Sequence, residues 1–527
     1  MVHSFTKHLT PMSTFFSYFL LMVVFLGQCT TPFGVSGAPL SGCDGVECLM
    51  VSRSDFVDSL RTVANVLHSV TTSLLNITHV GNNHSMFHLS DDDASDCNKL
   101  LDISTYLLDL SISAIKSPKG KTNSTTGNFS SDLRTWLSAV LTNIDTCMKG
   151  FGETNDFLMS QISTNINNVT TLINNLLSKV NPSLGHLSTK HDHFPSWFKP
   201  SDHNLLQIGD ISADVVVAAD GSGHYTKVMD AVNVAPEYSI KRFVVLVRKG
   251  VYTENVVIGK TNWNLVMIGE GMDATIITSN LFKTPNLSTY GTATFAVNGR
   301  GFIAKDISFR NTAGPEKNQA VALRSDSDLS VFYRCGIFGY QDTLYAHTMR
   351  QFYRECNISG TVDFIFGNAT VVFQNCLILA KKGKPNQKNI ITAQGARYPN
   401  HTSCFSFQAC NITADNDLIP FQNSTETYLG RPWQRYSKTV FMQNYLSDVV
   451  SPKGWLEWNG TKYLDTLYYA EYNNTGPGAA LDKRVKWPGY HILNDSSQAS
   501  IYTVAKLILG DLWLPLTGVN FTSGFVV

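Results

Sequence analysis

A short apolar module recurs along the C-terminal part of the chain and constrains the fold more than any other sequence feature. Its copies contain Cys335, Cys356, Cys376 and Cys410, each preceded by aromatic residues and followed two positions later by isoleucine. The first two spacings are 21 and 20 residues. Irregular periods of roughly 20 to 35 residues, with one short strand per repeat, are typical of a solenoid. Because no helical segments separate the strands, we predict a parallel β-helix with coils about 4.8 Å apart and with the cysteines and aromatic rings stacked inside.

The N-terminal part has a different periodicity. From about residue 52 to 184, apolar residues recur every three or four positions, as in Val57, Leu60, Val63, Leu67 and Val70. The segments 100–115, 130–151 and 154–180 follow the same pattern without internal proline. This spacing predicts a bundle of amphipathic helices. A chain of 527 residues also exceeds the usual size of one domain, so we expect two folded units.

The two ends of the helical part indicate export and a linker. Lys7 precedes an apolar run over 15–26, which predicts a secretory signal peptide at 1–30; an uncleaved signal anchor is the alternative. No later stretch is long and apolar enough to span a membrane. Ten cysteines and fifteen Asn-x-Ser/Thr sequons fit a secreted, disulfide-bonded glycoprotein. Residues 186–212 contain prolines and a His191-x-His193 pair without a second ligand cluster, so we predict a linker and no metal cofactor.

Charge excludes one class of partner. The chain has 41 basic and 41 acidic residues and is formally neutral. A nucleic-acid-binding protein normally has a basic patch or stripe, and nothing in this charge balance suggests one. We therefore expect no nucleic-acid partner.

Two aspartates in apolar frames are the strongest candidates for chemistry. Asp342 lies in Gly-Tyr-Gln-Asp-Thr-Leu-Tyr and Asp363 in Gly-Thr-Val-Asp-Phe-Ile-Phe-Gly, each seven residues after the cysteine of its module. The shared register places them side by side in adjacent coils. Neighbouring carboxylates do not both ionise cheaply, so one keeps its proton while the other is charged. A structural hydrogen-bonded stack and a calcium pair are the alternatives, but Gln341 and Arg431 offer donors rather than metal-binding oxygens.

Several long motifs in a fixed order carry a family resemblance. They are Ala-Asp-Val-Val-Val-Ala-Ala-Asp-Gly-Ser-Gly (213–223), Gly-Val-Tyr-Thr-Glu-Asn-Val (250–256), Gln-Ala-Val-Ala-Leu (319–323), the two aspartate motifs and Leu-Gly-Arg-Pro-Trp (429–433). Together they resemble plant pectin methylesterases, whose fold is an all-β right-handed parallel β-helix. Residues 135–147, Thr-Trp-Leu-Ser-Ala-Val-Leu-Thr-Asn-Ile-Asp-Thr-Cys, resemble the all-α four-helix bundle of pectin methylesterase inhibitors. The resemblance implies an inhibitor-like bundle at 43–185, a linker at 186–212 and a catalytic domain at 213–527.

The resemblance also implies a role for each matching residue. Asp363 would be the nucleophile that attacks the C6 methyl ester, and Asp342 the acid and then the base. Gln341 and Gln319 would donate hydrogen bonds to the oxyanion. Arg431 would keep Asp363 ionised and contact the sugar. The implied sugar-binding residues are Trp433 and Thr289, with Tyr345, Phe366 and Trp455 lining the groove.

The resemblance implies a setting as well as a reaction. The substrate would be methyl-esterified homogalacturonan, the product methanol, and the place of action the plant cell wall. The implied disulfides are Cys43–Cys48, Cys97–Cys147 and Cys356–Cys376. The inhibitory partner would be either the bundle of this chain or a separate inhibitor protein. Relatives with this layout carry a basic Arg-Arg-Leu-Leu or Arg-Lys-Leu-Leu processing site in the linker, whereas this chain has Asp-His-Asn-Leu-Leu at 202–206.

Two other functions compete with this interpretation. A β-helical pectin lyase or hydrolase would cleave the polymer chain, and it would usually need calcium or another set of carboxylates. A wall-binding protein with a decayed site would bind pectin without turnover. The polar set of Gln319, Gln341, Asp342, Asp363 and Arg431 argues against a decayed site, because packing alone requires none of these groups.

Overall fold

The recurring modules form the coils of a parallel β-helix, as the sequence predicts. The computed structural model describes residues 43, 45–80, 91–117, 120–149, 157–182 and 212–526, which belong to one compact unit, Cys43–Val527. Each full coil contributes one strand to each of three sheets, and the paired strands in all three are parallel. A helical bundle precedes the β-helix, so both parts of the fold prediction are confirmed.

The three sheets are named here I, II and III, in the order in which a coil visits them. Sheet I has eleven strands: β1 Val215–Val217, β2 Phe243–Val247, β5 Leu265–Ile268, β8 Ile303–Lys305, β11 Ser330–Tyr333, β14 Arg350–Arg354, β17 Thr370–Gln374, β20 Cys404–Gln408, β23 Lys438–Met442, β25 Tyr468–Tyr472 and β26 Tyr490–Ile492. Sheet II has eight: β3 Gly250–Thr253, β6 Thr275–Ser279, β9 Ser308–Asn311, β12 Gly336–Phe338, β15 Asn357–Gly360, β18 Leu377–Ala380, β21 Asn411–Ala414 and β24 Tyr445–Leu446. Sheet III has seven: β4 Val256–Ile258, β7 Phe295–Val297, β10 Leu323–Ser325, β13 Leu344–Ala346, β16 Ile365–Gly367, β19 Asn389–Gln394 and β22 Thr427–Gly430.

Stacked aromatic rings fill the interior of the β-helix. Phe332, Tyr353, Phe373, Phe407 and Phe441 occupy the same register in successive strands of sheet I, and their ring centroids lie 4.5 to 4.8 Å apart. Stacked aromatic pairs contribute about 0.5–1.5 kcal/mol each beyond the burial of their surface. These rings are packing residues, which is the role that the repeat predicts.

The corner between sheets I and II has a fixed backbone conformation. One residue there is left-handed in successive coils, with φ between 49° and 57°, at Asp306, Arg334, Glu355, Asn375, Ala409, Gln443 and Asn473. A left-handed non-glycine residue costs roughly 1–2 kcal/mol. Repetition of this cost along the stack shows that the parallel pairing of neighbouring coils, rather than local preference, sets the path of the chain.

The N-terminal part consists of four helices: α1 Arg53–Val80, α2 Asp91–Lys116, α3 Phe129–Lys149 and α4 Phe157–Ser178. Leu60, Val63, Leu67 and Val70 of α1 are at most 1% exposed, so the predicted apolar stripe is the core-facing side of that helix. Disulfides join Cys43 to Cys48 and Cys97 to Cys147, as expected. Three further helices are short: α5 Val228–Asn233, α6 Ser496–Ser500 and α7 Val504–Leu507.

The expected Cys356–Cys376 disulfide is wrong for this structure. Both residues are buried thiols within a row that also contains Cys335 and Cys410. The Sγ of Cys356 donates to the carbonyl of Phe332 at 3.2 Å, and the Sγ atoms of Cys376 and Cys410 contact carbonyls of a preceding coil in the same way. Because the stacked coils place several sulfurs beside one another, the register alone does not identify which two cysteines form a disulfide.

Two predictions concern residues outside this description. The signal peptide at 1–30 and all but the last residue of the linker at 186–212 lie outside the described residues. Among the residues that are described, no helix is long and apolar enough to cross a membrane.

Candidate active site

Asp342 and Asp363 are neighbours in adjacent coils. Each lies in the loop that leads from sheet II to sheet III, two residues before a strand, and those strands pair Leu344 with Ile365. The amide of Asp342 donates to the carbonyl of Val362 at 3.0 Å, which ties the two loops together. Both aspartates have left-handed backbones, with φ of 62° and 50°. Aspartate tolerates this conformation better than most residues, and strain of this kind is often found at functional sites.

The two carboxylates have different electrostatic environments. Arg431 follows β22 at the edge of sheet III, and its Nε and Nη2 donate to the two oxygens of Asp363 at 2.8 and 2.6 Å. Burial raises the pKa of Asp363, while the hydrogen bonds and charge of Arg431 lower it. Burial and the neighbouring charge of Asp363 raise the pKa of Asp342 well above its usual range, with Arg431 and Lys283 opposing this shift. The pKa of Asp342 is therefore raised more strongly than that of Asp363, and Arg431 favours the ionised form of Asp363.

A cavity of about 520 Å³ opens onto these carboxylates. Gln319, Gln341 and Thr289 line it, so the structure brings together all the polar site residues that the sequence predicts. The side-chain amides of the two glutamines come from loops of successive coils, and the Ala320 amide donates to the Gln341 carbonyl at 3.2 Å. Amide donors beside a buried carboxylate pair suit a reaction in which an oxyanion develops.

Aromatic side chains form one wall of the cavity. Tyr345 and Phe366 stack with ring centroids 4.1 Å apart, and Trp433 meets Phe366 edge-on at 5.9 Å. Gly395 permits this packing, because a Cβ there would lie 2.5 Å from the Trp433 ring. Flat apolar faces of this kind are suited to pyranose rings.

The expectation that Trp455 lines the groove is wrong. Trp455 is 1% exposed, and its Nε1 donates to Glu471 inside the β-helix at 3.3 Å, so it is a core residue rather than part of the groove. Trp458 lines the cavity instead, with its ring centroid 4.3 Å from the Arg431 guanidinium carbon. The two tryptophans are three residues apart, and spacing alone does not tell which one faces outward.

The helical bundle lies against the same face of the β-helix. Asp96, Thr146 and Lys149 line the cavity together with the aspartates. The Nζ of Lys149 lies 3.8 Å from the ring centroid of Trp433 and covers that face of the ring. The Oγ of Ser288 donates to Asp96 at 2.6 Å, beside the candidate residue Thr289.

Helix α3 makes a second row of polar contacts across this interface. The Nδ2 of Asn368 donates to Thr142 at 2.6 Å, Thr146 and the His347 ring nitrogen lie 2.8 Å apart, and Asp145 pairs with Arg397. Thr142 is 7% exposed and Asn368 is 6% exposed, so the hydrogen bond between them is shielded from water.

A buried ion cluster lies at the start of α3. The Arg350 Nη1 lies 2.8 Å from the carboxylate of Asp132, and its Nη2 lies 2.6 Å from that of Asp328. The side chains of Asp132 and Arg350 are each 1% exposed. Burial raises the pKa of Asp132 while Arg350 opposes the shift. Removing one partner of a buried ion pair typically costs about 3–5 kcal/mol, so these contacts fix where the bundle lies.

Two family models match the chain. The pectinesterase model matches residues 214–511, and the model described as plant invertase/pectin methylesterase inhibitor matches residues 50–178. The first covers the β-helix and the second the helical bundle.

Similar proteins of known type share both parts. A pectinesterase/pectinesterase inhibitor of Prunus persica is 55% identical over 94% of this chain and 95% of its own length. A probable pectinesterase/pectinesterase inhibitor of Arabidopsis thaliana is 51% identical over 97% of this chain and 98% of its own. Among solved structures, the pectin methylesterase from carrot has 49% identity and a TM-score of 0.60, covering 60% of this chain and 99% of that one. The deglycosylated pectin methylesterase from Aspergillus niger has 29% identity and a TM-score of 0.51, covering 58% and 96%.

Proposed function

This chain belongs to the pectinesterase family and carries an inhibitor-family bundle, and from that premise we propose that it hydrolyses C6 methyl esters of homogalacturonan with Asp363 as nucleophile. The observation that carries the proposal is the asymmetry of the carboxylate pair. Arg431 donates to both oxygens of Asp363, whereas burial and the charge of Asp363 raise the pKa of Asp342. Asp363 is therefore prepared to attack and Asp342 to donate a proton.

The first half-reaction forms an acyl-enzyme. An Asp363 oxygen attacks the ester carbonyl carbon, and the negative charge moves to the carbonyl oxygen. Gln319 and Gln341 donate hydrogen bonds to this oxyanion, and one such donor is typically worth about 2.7–4 kcal/mol. When the tetrahedral intermediate collapses, the C–O bond to the methoxy group breaks, and Asp342 gives its proton to that oxygen so that methanol leaves.

The second half-reaction regenerates the enzyme. Asp342, now ionised, takes a proton from water, and the hydroxide attacks the carbonyl carbon of the sugar in the acyl-enzyme. The bond to Asp363 breaks, which restores the charged nucleophile and releases the sugar as its carboxylic acid. The released carboxyl group then gives its proton to the solvent and becomes the free carboxylate. Asp342 ends the cycle protonated, so no cofactor is needed to balance the reaction.

Substrate binding is assigned to the cavity wall and its rim. Trp433 provides the face on which a sugar ring stacks, and Thr289 contributes a polar group to the same cavity. Arg431 has a double role in this proposal, because its guanidinium holds Asp363 while its flat face lies under Trp458. These roles are supported by a common cavity and by the contacts within it.

The methanol-release assay tests the proposal directly. A protease site introduced into residues 186–212 allows the bundle to be released, and methanol from methylated pectin is measured before and after cleavage. Asp363→Asn should abolish release, whereas Asp482→Asn, which removes an exposed carboxylate elsewhere, should not. Retained release in Asp363→Asn refutes the nucleophile. New reducing ends or unsaturated products would instead support the depolymerase alternative, and pectin binding without turnover would support the decayed-site alternative.

We also propose that the bundle is an intramolecular inhibitor. It is taken as the domain 43–185, joined by a linker at 186–212 to a catalytic domain at 213–527. Lys149 over Trp433 and the contacts of α3 support this role, because a polymer chain could not enter the groove past them. The uncleaved chain should therefore release methanol from pectin more slowly than the cleaved one. Equal rates would favour a separate inhibitor protein as the relevant partner.

The place of action follows from the same proposal. The predicted signal peptide, the two disulfides of the bundle and the pectin substrate together support secretion to the plant cell wall as a glycoprotein. Mass spectrometry of the secreted protein tests this directly, since it gives both the mature N-terminus and the occupied sequons. An N-terminus that retains residues 1–30 would refute cleavage of a signal peptide.

A further inference from the structure

We propose that Asn473 carries an N-linked glycan that covers the C-terminal end of the β-helix and prevents two copies of the chain from pairing there. This asparagine begins the sequon Asn473-Asn-Thr475, one of fifteen in the chain. The proposal goes beyond the proposed function, and it depends only on the proposed passage of the chain through the secretory pathway.

The C-terminal end of the β-helix is an open sheet edge. Strand β26, Tyr490–Ile492, is the last strand of sheet I, and it pairs with β25. Among the described residues, no strand pairs with the other edge of β26. Such an edge presents backbone N–H and C=O groups to any other chain with a free edge, and natural proteins usually cover it. A solenoid also needs a polar cap on its terminal repeat to stay soluble.

A hollow with apolar side chains lies at the same end. It has a volume of about 400 Å³, and Asn473 and Asn494 are among the residues that line it. Ile492 of β26 and Leu481 line it too, and they are 44% and 36% exposed. Exposed aliphatic side chains beside an unpaired strand favour association of two copies. This end therefore needs a cover.

The sequon lies at the corner that follows the last full strand of sheet I. Asn473 comes directly after β25, is exposed and has a left-handed backbone with φ of 49°. Thr475 is also exposed, and it forms a parallel bridge with Tyr445 at the end of sheet II. Asn474 between them is structural, because its Oδ1 accepts from the backbone amide and the side chain of Asn444 at 3.0 and 3.1 Å. Asn473 is thus the exposed member of the two adjacent asparagines.

Exposure separates this site from sequons that the fold buries. In Asn368-Ala-Thr370 the asparagine is 6% exposed, and its Nδ2 donates to Thr142 at 2.6 Å. A sugar on that nitrogen would occupy the space of helix α3. At Asn473 a sugar would extend into solvent and over the hollow.

The attached oligosaccharide supplies the cover. Its donor is an oligosaccharide carried on a polyprenyl diphosphate, and the Asn473 amide nitrogen bonds to C1 of the innermost N-acetylglucosamine. The C1–O bond breaks with its electron pair on the leaving diphosphate, and the amide loses one proton. Cavities of roughly 300–1,000 Å³ hold small molecules, so the hollow can hold this innermost sugar against Ile492. The outer sugars are bulky and hydrated, and they shield the edge of β26.

Glycopeptide mass spectrometry of the full-length chain, secreted from plant cells, tests the modification. The peptide that contains Asn473 should carry a glycan, and the peptide that contains Asn368 should carry none. An unmodified Asn473 overturns the proposal. If other sequons are then modified, the proposed secretion as a glycoprotein stands and only this site fails; if no sequon is modified, both fail.

Sedimentation velocity tests whether the glycan prevents pairing. Asn473→Gln with Asn494→Gln removes both sequon asparagines of the hollow, and Asn494→Gln alone is the matched control that keeps the proposed glycan. Two identical edges meet about a two-fold axis, so the double variant should form a dimer of roughly twice the monomer mass. The control should remain monomeric. A monomeric double variant overturns the proposed cover, and so does a control that dimerises equally.

Two further variants separate loss of the glycan from misfolding. Thr475→Ala in the Asn494→Gln chain also destroys the sequon but keeps Asn473, so this chain should dimerise as the double variant does. Ile492→Lys added to the dimerising chain places a charge beside the open edge and should restore the monomer. A monomeric Thr475→Ala chain, or a dimer that persists with Ile492→Lys, overturns the proposed cover.

Discussion

Replacing Arg431 by glutamine tests the electrostatic basis of the site. The substitution removes two charge-assisted hydrogen bonds to Asp363, of 2.8 and 2.6 Å, and leaves at most one neutral donor. Hydrogen bonds to charged groups contribute about 1.5–3 kcal/mol each, so we expect ionised Asp363 to lose about 2 kcal/mol of stabilisation. Since 1.36 kcal/mol corresponds to a factor of ten, the ionised fraction of Asp363 at acidic pH should fall roughly thirtyfold.

The pH dependence of methanol release shows in which direction Arg431→Gln shifts the pKa of Asp363. Burial already raises the pKa of Asp363, and Arg431 opposes that shift. Without the guanidinium the pKa rises further, so the charged nucleophile forms only at higher pH. The acid limb of kcat/KM for methanol release, measured on the cleaved chain, should therefore move to higher pH in Arg431→Gln. Arg431→Lys is the matched control, because it keeps the charge but loses the two-pronged geometry, and it should give an intermediate shift.

Thermal melting separates this effect from misfolding. A carboxyl whose pKa is raised on folding contributes stability that is complete below its unfolded pKa and is lost as the pH rises through the folded pKa. Arg431→Gln should therefore melt below the wild type, with a difference that grows with pH. If the variant keeps the wild-type rate and the same acid limb while it remains folded, Arg431 does not hold Asp363 ionised, and the reasoning fails.

Three other changes have defined outcomes. Asp342→Asn should reduce kcat about 10²–10⁴-fold. Because burial raises the pKa of this carboxyl, the variant should also melt at a higher temperature than the wild type at neutral pH and at the same temperature below about pH 4. Calorimetry that shows no higher melting temperature at neutral pH would contradict this. Thr142→Val with Asp145→Asn removes bundle contacts, so methanol release by the uncleaved chain should rise roughly tenfold while the cleaved chain is unaffected; no rise would count against the bundle as inhibitor. Gly367 has a φ of +126°, and Gly367→Ala places a Cβ 2.0 Å from a carbonyl oxygen, so it should lower the free energy of unfolding by about 2–4 kcal/mol. The control Gly460→Ala, whose Cβ meets no neighbour, should lower it by about 1 kcal/mol. Equal losses in denaturant titrations would rule out the steric explanation.

The repeat register carried most of what the sequence could predict. A spacing of 20 or 21 residues sets which positions become neighbours, and this suffices for the β-helix and for the contact between Asp342 and Asp363. The family resemblance implied the Cys356–Cys376 disulfide, and the register does not decide that pairing, because Cys335 and Cys410 belong to the same row of stacked sulfurs. The resemblance also implied the groove position of Trp455, and the register does not test it, since the loops outside the strands have no period from which side-chain direction can be inferred.

The sequence pattern does not predict the contacts between the helical bundle and the β-helix. Asp132 and Arg350 are 218 positions apart, and each looks like an ordinary surface residue of its own element. Their burial arises only when the bundle and the β-helix meet. Lys149 was missed for the same reason, because a lysine at the end of an amphipathic helix normally faces water.

The cavity between the bundle and the carboxylates has a consequence for small molecules. The bundle crosses the groove without filling it, and about 520 Å³ remains above Asp342 and Asp363. Spaces of roughly 300–1,000 Å³ hold whole drug-sized ligands. Pro285 and Lys283, which line the cavity, are exposed, so the space is reached from solvent. If the bundle inhibits as proposed, inhibition depends on molecular size: a short soluble methyl ester should enter the cavity and be hydrolysed, whereas a polysaccharide should be excluded.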